Sequence, residues 1–241
     1  MVSPLMCPKT LPTVLLLLSG LAAGQSLPPV RVVLVGDSTV NDEGGWGPGF
    51  RAWFGKDVEV VNLARNGRSS KSFRDEGLWA PAVAGKPDYI LIQFGHNDGP
   101  GKGPDRETDP KTTFRENMTR YVAEARAAGA QPVLVTSIVR RVFTAEGKIK
   151  RDSLVPYVEA VRELAMELKV PLVDLYRETL AQAERLGSDG CAEIDARLPD
   201  GKRDTTHLGP RGREEIGRMA AQEFVRLMPA MRVYAAEPVR P

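Results

Sequence analysis

Five short runs of aliphatic residues recur along the chain: VRVVLV (30–35), VEVVNLA (58–64), DYILIQF (88–94), QPVLVTSI (131–138) and VPLVDL (170–175). Each is continuously apolar rather than alternating, the pattern of strands covered on both faces. The stretches between them keep a helical period. Phe114, Met118, Tyr121, Val122 and Ala125 share one face within 111–128, and the glycine of AAGAQP supplies a stop. Leu154, Val158, Val161, Ala165 and Leu168 form a second stripe, and Ile216, Met219, Ala220, Phe224 and Leu227 a third. Such alternation restricts the chain to a parallel sheet joined by right-handed crossovers.

The expected fold class is therefore α/β: a three-layer α/β/α sandwich with a five-stranded parallel sheet in flavodoxin-like order. With 241 residues, 42% hydrophobic and 27% charged, the chain suits one domain with a full core. That domain is expected over residues 25–230, followed by a loosely held tail at 231–241.

Residues 1–24 read as a secretory signal peptide. One positive charge precedes the apolar stretch LPTVLLLLSGLAAG, and small residues follow it in AAGQS. The stretch is short for a permanent anchor, which is the alternative reading. Cys7 lies before the apolar run, unlike a lipid-attachment cysteine. The expected location is outside the cell or in a periplasm, with no stable membrane anchor once the segment is removed. Its loss takes away Lys9 and no acid, leaving a net charge near +1. That balance argues against nucleic acid as a partner. Cys191 is then the only cysteine, so no internal disulfide forms, and a monomer is expected. NMT at 117–119 matches a glycosylation sequon at Asn117, but inside a predicted helix.

Polar residues gather at the predicted strand ends, where ligands bind in open α/β sheets. GDST ends the first run, ARNGRSSKSF follows the second, FGHNDG ends the third, and GKRDTTHLGP precedes the last helix. Ser38 in GDST is either a helix cap or a nucleophile. Acyl transfer needs a base to take the serine proton and a partner to orient that base. His207 and Asp204 fill these roles at a three-residue offset. The Ser38 N–H, the Gly67 N–H and the Asn97 amide are candidate oxyanion donors. Gly67 also permits close backbone approach.

The ordered set GDSTV, GGWG, NGRSSKSF, DEGLW, QFGHNDG, VRRVF…GK and DTTHL resembles the SGNH, or GDSL-type, hydrolases. Within them it looks most like the rhamnogalacturonan acetylesterase group of carbohydrate esterases. The resemblance implies a secreted serine esterase that deacetylates plant cell-wall polysaccharide, most simply acetylated rhamnogalacturonan. It assigns catalysis to Ser38, Asp204 and His207, the oxyanion hole to Ser38, Gly67 and Asn97, and no cofactor or metal. An esterase of the same mechanism on acetylated xylan, small esters or lipids is the alternative. A carbohydrate-binding protein with a vestigial site is the alternative from another class.

Other residues are open to two readings. His96 is a local hydrogen-bonding residue, a substrate contact or the base. Arg68, Lys71 and Arg74 are a solvated surface or a site for an acidic sugar. Ser69, Ser70, Phe73, Trp46 and Trp79 are core residues or the lining of a sugar site. Asp37 and Asp98 brace the backbone or form a glycosidase-like carboxylate pair. RRVFTAEGKIKRDS is a charged hairpin or loop beside the site. Two histidines and one thiol show no metal-ligand spacing.

Overall fold

The computed structural model describes residues 27–236. The expected leader and the last five residues of the expected tail lie outside them. In chain order the elements are β1 (Val30–Gly36), α1 (Gly47–Ala52), β2 (Val58–Asn62), α2 (Ser72–Asp75), α3 (Ala80–Ala84), β3 (Tyr89–Gln93), α4 (Thr113–Ala127), β4 (Gln131–Val135), α5 (Val155–Glu167), β5 (Leu172–Val173), α6 (Leu175–Cys191), β6 (Asp195–Arg197), β7 (Arg203–Leu208) and α7 (Pro210–Leu227). The five runs form a parallel sheet in the order β2-β1-β3-β4-β5, the flavodoxin-like order.

Alternate residues of each strand enter different cores, as the period of two requires. Val32 and Leu34 of β1, with Leu91, Val133 and Val173, face Trp46, Phe50, Ile216 and Phe224 from the α1–α7 layer. Val33 and Val35, with Ile90, Ile92 and Leu134, face Phe114, Met118, Tyr121, Val161 and Leu164 from α4 and α5. Burial on both faces explains why the runs are continuous rather than alternating. Gly217 of α7 lies directly on the backbone of Trp46 and Phe50, a gap that admits no Cβ, so α1 and α7 pack unusually closely.

Two expectations change. VPLVDL keeps only Leu172–Val173 as strand, because the Asp174 side chain accepts the Arg177 N–H at 3.2 Å and opens α6. The segment holding Asp204 and His207, to which the sequence assigned no element, lies in an antiparallel pair, β6–β7. The C-terminal segment is not loose over 231–236. Met231 is buried, the Tyr234 hydroxyl donates to Pro28 O at 2.9 Å, and the Ala236 N–H donates to Trp53 O at 2.9 Å.

Candidate active site

Ser38 leaves β1 in a tight turn. The preceding Asp37 is fully buried, and its Oδ1 accepts both the N–H and the hydroxyl of Thr39 at 2.8 Å, an Asx turn. The next helix, α1, does not begin until Gly47. Ser38 therefore caps no helix, and its half-buried hydroxyl is directed to another partner.

That partner is His207. Its Nε2 lies 2.7 Å from Ser38 Oγ, and its Nδ1 lies 2.7 Å from Asp204 Oδ2. Asp204 Oδ1 also accepts the N–H groups of Thr206 and His207 at 3.0 Å. Partial burial pushes the Asp204 carboxyl up, but these bonds outweigh it and hold the group below the ordinary carboxylate range. The strand beneath is pinned from two sides. Leu208 N–H donates to Gly44 O at 2.8 Å, and a Cβ on Gly44 would stand 3.3 Å from the His207 ring. On the other side, Arg141 Nη2 donates to His207 O at 2.8 Å and Arg141 N–H to Thr205 O at 2.9 Å. Arg141 Nε is itself ion-paired with Asp195, which Arg203 holds at 2.6 Å.

Ser38, Glu43, Gly44, Asn66, Gly67, Asn97 and His207 line an open depression of about 400 Å³. Gly67 sits at φ +74, a left-handed position suited to glycine. Neither its N–H nor that of Ser38 has an acceptor among the described residues. Asn97 is oriented by an Nδ2 bond to Arg68 O at 3.1 Å. The sheet edge thus brings together all five residues that the sequence singled out for acyl transfer. Glu43, Gly44 and Asn66 complete the lining, and Arg141 completes the support. A buried arginine leaves no periodic signal in a charged loop. The β6–β7 turn did carry one, in PDG at 199–201.

The remaining expected substrate contacts are corrected. Ser69 and Ser70 are fully buried: Ser69 and Ser72 exchange backbone-to-hydroxyl bonds at 2.9 and 3.1 Å, while Ser70 binds Asp98. Phe73 packs on Phe94 and Trp79 on Tyr121, with ring centroids 5.4 and 4.8 Å apart. Trp46 is also core, its indole N–H donating to Gln93 Oε1 at 2.9 Å. His96 is buried, and neither ring nitrogen has a partner among the described residues. Burial first, and then nearby charges that include the Arg140 and Arg141 guanidinium groups, hold its pKa well below the ordinary value. It is therefore a neutral residue outside the lining of the depression, neither base nor sugar contact. Arg68 does reach the rim, but Glu76 Oε2 binds it at 2.9 and 2.7 Å. Lys71 is bound to Pro104 O at 2.7 Å, and Arg74 to Glu124 at 2.7 Å.

Asp37 and Asp98 are both fully buried and neither lines the depression, so they do not form a glycosidase pair. Burial, opposed by hydroxyl bonds from Ser70 and Thr108, pushes the Asp98 carboxyl up to about 7. Its contribution to stability is complete below the unfolded value of 3.8 and is lost as pH rises through about 7. Asp98→Asn keeps an acceptor but cannot ionise, so relative to the unchanged chain its melting temperature is expected to improve between about pH 5 and pH 8. A melting difference that does not move with pH would contradict this. Among the described residues no cluster of three His, Cys, Asp or Glu side chains forms a metal site, and no helix is long and apolar enough to cross a membrane. The 140–153 segment is a hairpin, with Phe143 bridged to Ile149. Its Arg140 holds Asp152 at 2.6 Å and His96 O at 3.2 Å.

Known proteins share this arrangement of sequence and fold. Residues 34–214 match the GDSL-like lipase/acylhydrolase family. The chain is 37% identical over 212 residues to the rhamnogalacturonan acetylesterase RhgT of Bacillus subtilis, covering 80% of this chain and 89% of that protein. It is 33% identical over 200 residues to YesY of the same organism, a probable rhamnogalacturonan acetylesterase, covering 80% and 91%. A Bacillus subtilis crystal structure superposes with a TM-score of 0.69 at 27% identity, over 86% of this chain and 59% of that one. This chain therefore spans less than two thirds of that structure's length. With Gly36, Asp37 and Ser38 at the mouth of β1, the chain belongs to the GDSL-like lipase/acylhydrolase family of carboxylic ester hydrolases.

Proposed function

We propose that this chain is a secreted serine acetylesterase that removes O-acetyl groups from acetylated rhamnogalacturonan. The observation that carries the esterase reading is the Asp204–His207–Ser38 relay, with both ring nitrogens at 2.7 Å from their partners. In the proposed reaction Ser38 Oγ attacks the acetyl carbonyl carbon while its proton passes to His207 Nε2. Asp204 accepts a hydrogen bond from the Nδ1 proton, which stays on His207, and stabilises the imidazolium. The tetrahedral oxyanion rests on the Ser38 and Gly67 N–H groups and the Asn97 amide. His207 then returns the proton to the departing sugar hydroxyl, leaving an acetyl ester on Ser38. Water attacks that ester, His207 taking its proton; the Ser38 Oγ–acyl bond then breaks, His207 returns the proton to Ser38 Oγ, and acetate leaves.

The depression supports a small acyl group on a polar carrier. Apart from the His207 imidazole, its seven lining residues are small or polar, with no Leu, Ile, Val, Met, Phe, Tyr or Trp side chain to hold a fatty acyl chain. The similarity to two rhamnogalacturonan acetylesterases supports the polysaccharide. Export through residues 1–24 belongs to the same proposal, and amino-terminal sequencing of protein recovered outside the producing cell tests it.

The deciding experiment is acetate release from acetylated rhamnogalacturonan and acetylated xylan, with a chromogenic acetate alongside. Release from the first polymer is expected; release from xylan alone would move the substrate, and no release from any would overturn the reading. Asn97→Ala removes one oxyanion donor and is expected to lower kcat by about 10²- to 10³-fold with little change in KM. A loss confined to KM would assign Asn97 to ground-state binding instead.

A further inference from the structure

The cations that sequence reasoning offered to an acidic sugar are all engaged elsewhere. Arg68 is held by Glu76, Lys71 by a backbone carbonyl and Arg74 by Glu124. Arg140 is held by Asp152 and Arg141 by Asp195. Arg65 has no ion pair among the described residues, but its basin also contains the carboxylates of Asp42 and Glu43. Its charge is offset there.

One guanidinium next to Gly67, though not itself part of the lining of the depression, differs. Arg106 comes from the loop between β3 and α4, where its Nε donates to Lys102 O at 2.8 Å. That bond fixes the plane of the fork. Its two terminal nitrogens have no acceptor among the described residues, and no carboxylate forms an ion pair with it. Arg106 Nη1 lies 3.8 Å from the point a Cβ on Gly67 would occupy. Covalent geometry then puts it no more than roughly 6 Å from the Gly67 N–H, one of the proposed oxyanion donors. The side chain is only half-buried, so its outer edge is accessible.

A guanidinium with both terminal nitrogens unspent is matched to a carboxylate, which it grips with two parallel hydrogen bonds. We infer that Arg106 receives the carboxylate of a uronate at the acetylated site, so that the depression prefers acidic over neutral polysaccharide. This rests on the acetylesterase reading above and adds the residue that reads substrate charge. With the acetyl carbonyl at Gly67, a carboxylate on the acetylated ring lies within one sugar's span of the fork. The contact positions the polymer and takes no part in proton transfer, so its loss appears mainly in KM.

The test uses one acetylated rhamnogalacturonan in two forms, with free carboxylates and with those carboxylates methyl-esterified, acetate release being followed on both. The ratio of kcat/KM for the free form to that for the esterified form is the readout. Arg106→Gln is expected to lower this ratio about tenfold, and Arg106→Lys, which keeps charge but loses the fork, to lower it less. Arg185→Gln removes the same unit charge from the exposed face of α6 and serves as the control. A ratio that falls for Arg106→Gln and not for Arg185→Gln supports the assignment. A ratio unmoved in Arg106→Gln, while both polymers are still hydrolysed, overturns it and leaves the acetylesterase reading standing. If the unaltered protein hydrolyses neither polymer nor a chromogenic acetate, both fall together.

Discussion

Ser38→Ala is expected to lower kcat for acetyl-ester hydrolysis by about 10⁴- to 10⁶-fold, with substrate affinity and melting temperature nearly unchanged. The size follows from what the hydroxyl does. Its hydrogen-bond partner is His207 Nε2, and without it the oxyanion donors have no tetrahedral intermediate to stabilise. The small effect on stability follows from the turn. Asp37 and Thr39, not Ser38, make the side-chain bonds that shape it, and the Ser38 side chain fills no core space. Steady-state kinetics on a chromogenic acetate beside a thermal melt measures both. A residual rate within about a hundredfold of the unaltered protein would place the nucleophile elsewhere.

The second large effect is structural in origin and catalytic in consequence. Arg141→Met is expected to cost about 3 kcal/mol of stability and, well below the melting transition, about 10²-fold in kcat. The Arg141 and Asp195 side chains are 1% and 0% exposed, so removing one leaves the other charge in the core. Arg203 still holds Asp195, which keeps the cost at the lower end for a broken buried pair. The loss in kcat has a separate cause. Arg141 donates to the carbonyl of His207 itself, and an imidazole displaced by a fraction of an ångström no longer bridges Ser38 and Asp204. A merely structural role for Arg141 would lower the melting temperature and leave kcat of the folded protein intact. Arg141→Lys is expected to recover part of the stability but little of the rate, because one ammonium cannot reach both Asp195 and the carbonyl.

The elements that were legible in sequence are those whose burial leaves a period. The runs in β1 and β3 are apolar because helices cover both faces, and the stripes of α4, α5 and α7 repeat the helical turn. The five residues of the candidate relay and oxyanion hole were legible because a parallel sheet delivers successive strand ends to one edge. What failed to show was polar burial. RSSKSF left core and sugar-site readings open for Ser69, Ser70 and Phe73, and they turn inward because Asp98, Ser72 and Tyr121 satisfy the polar groups there. His96 and Trp79 are buried by packing between distant segments that no local spacing announces. Arg106 and Arg141 were missed for the same reason: each lies beside a residue far along the chain, Gly67 and His207 respectively. The C-terminal segment was read as loose from its composition, and its docking depends on Met231 and Tyr234 finding surfaces made by other elements.

Covalent chemistry at Ser38 is the central claim, and it can be observed directly. The protein would be mixed with a chromogenic acetate, quenched in acid within the first turnovers, digested and mapped by peptide mass spectrometry. The account predicts the added mass of one acetyl group on the peptide containing Ser38, at that serine, disappearing as substrate is exhausted and absent from Ser38→Ala. Under the same quench His207→Ala should accumulate no adduct. An acetyl group that forms at turnover rate on another residue, or catalytic turnover that persists in Ser38→Ala, would contradict it.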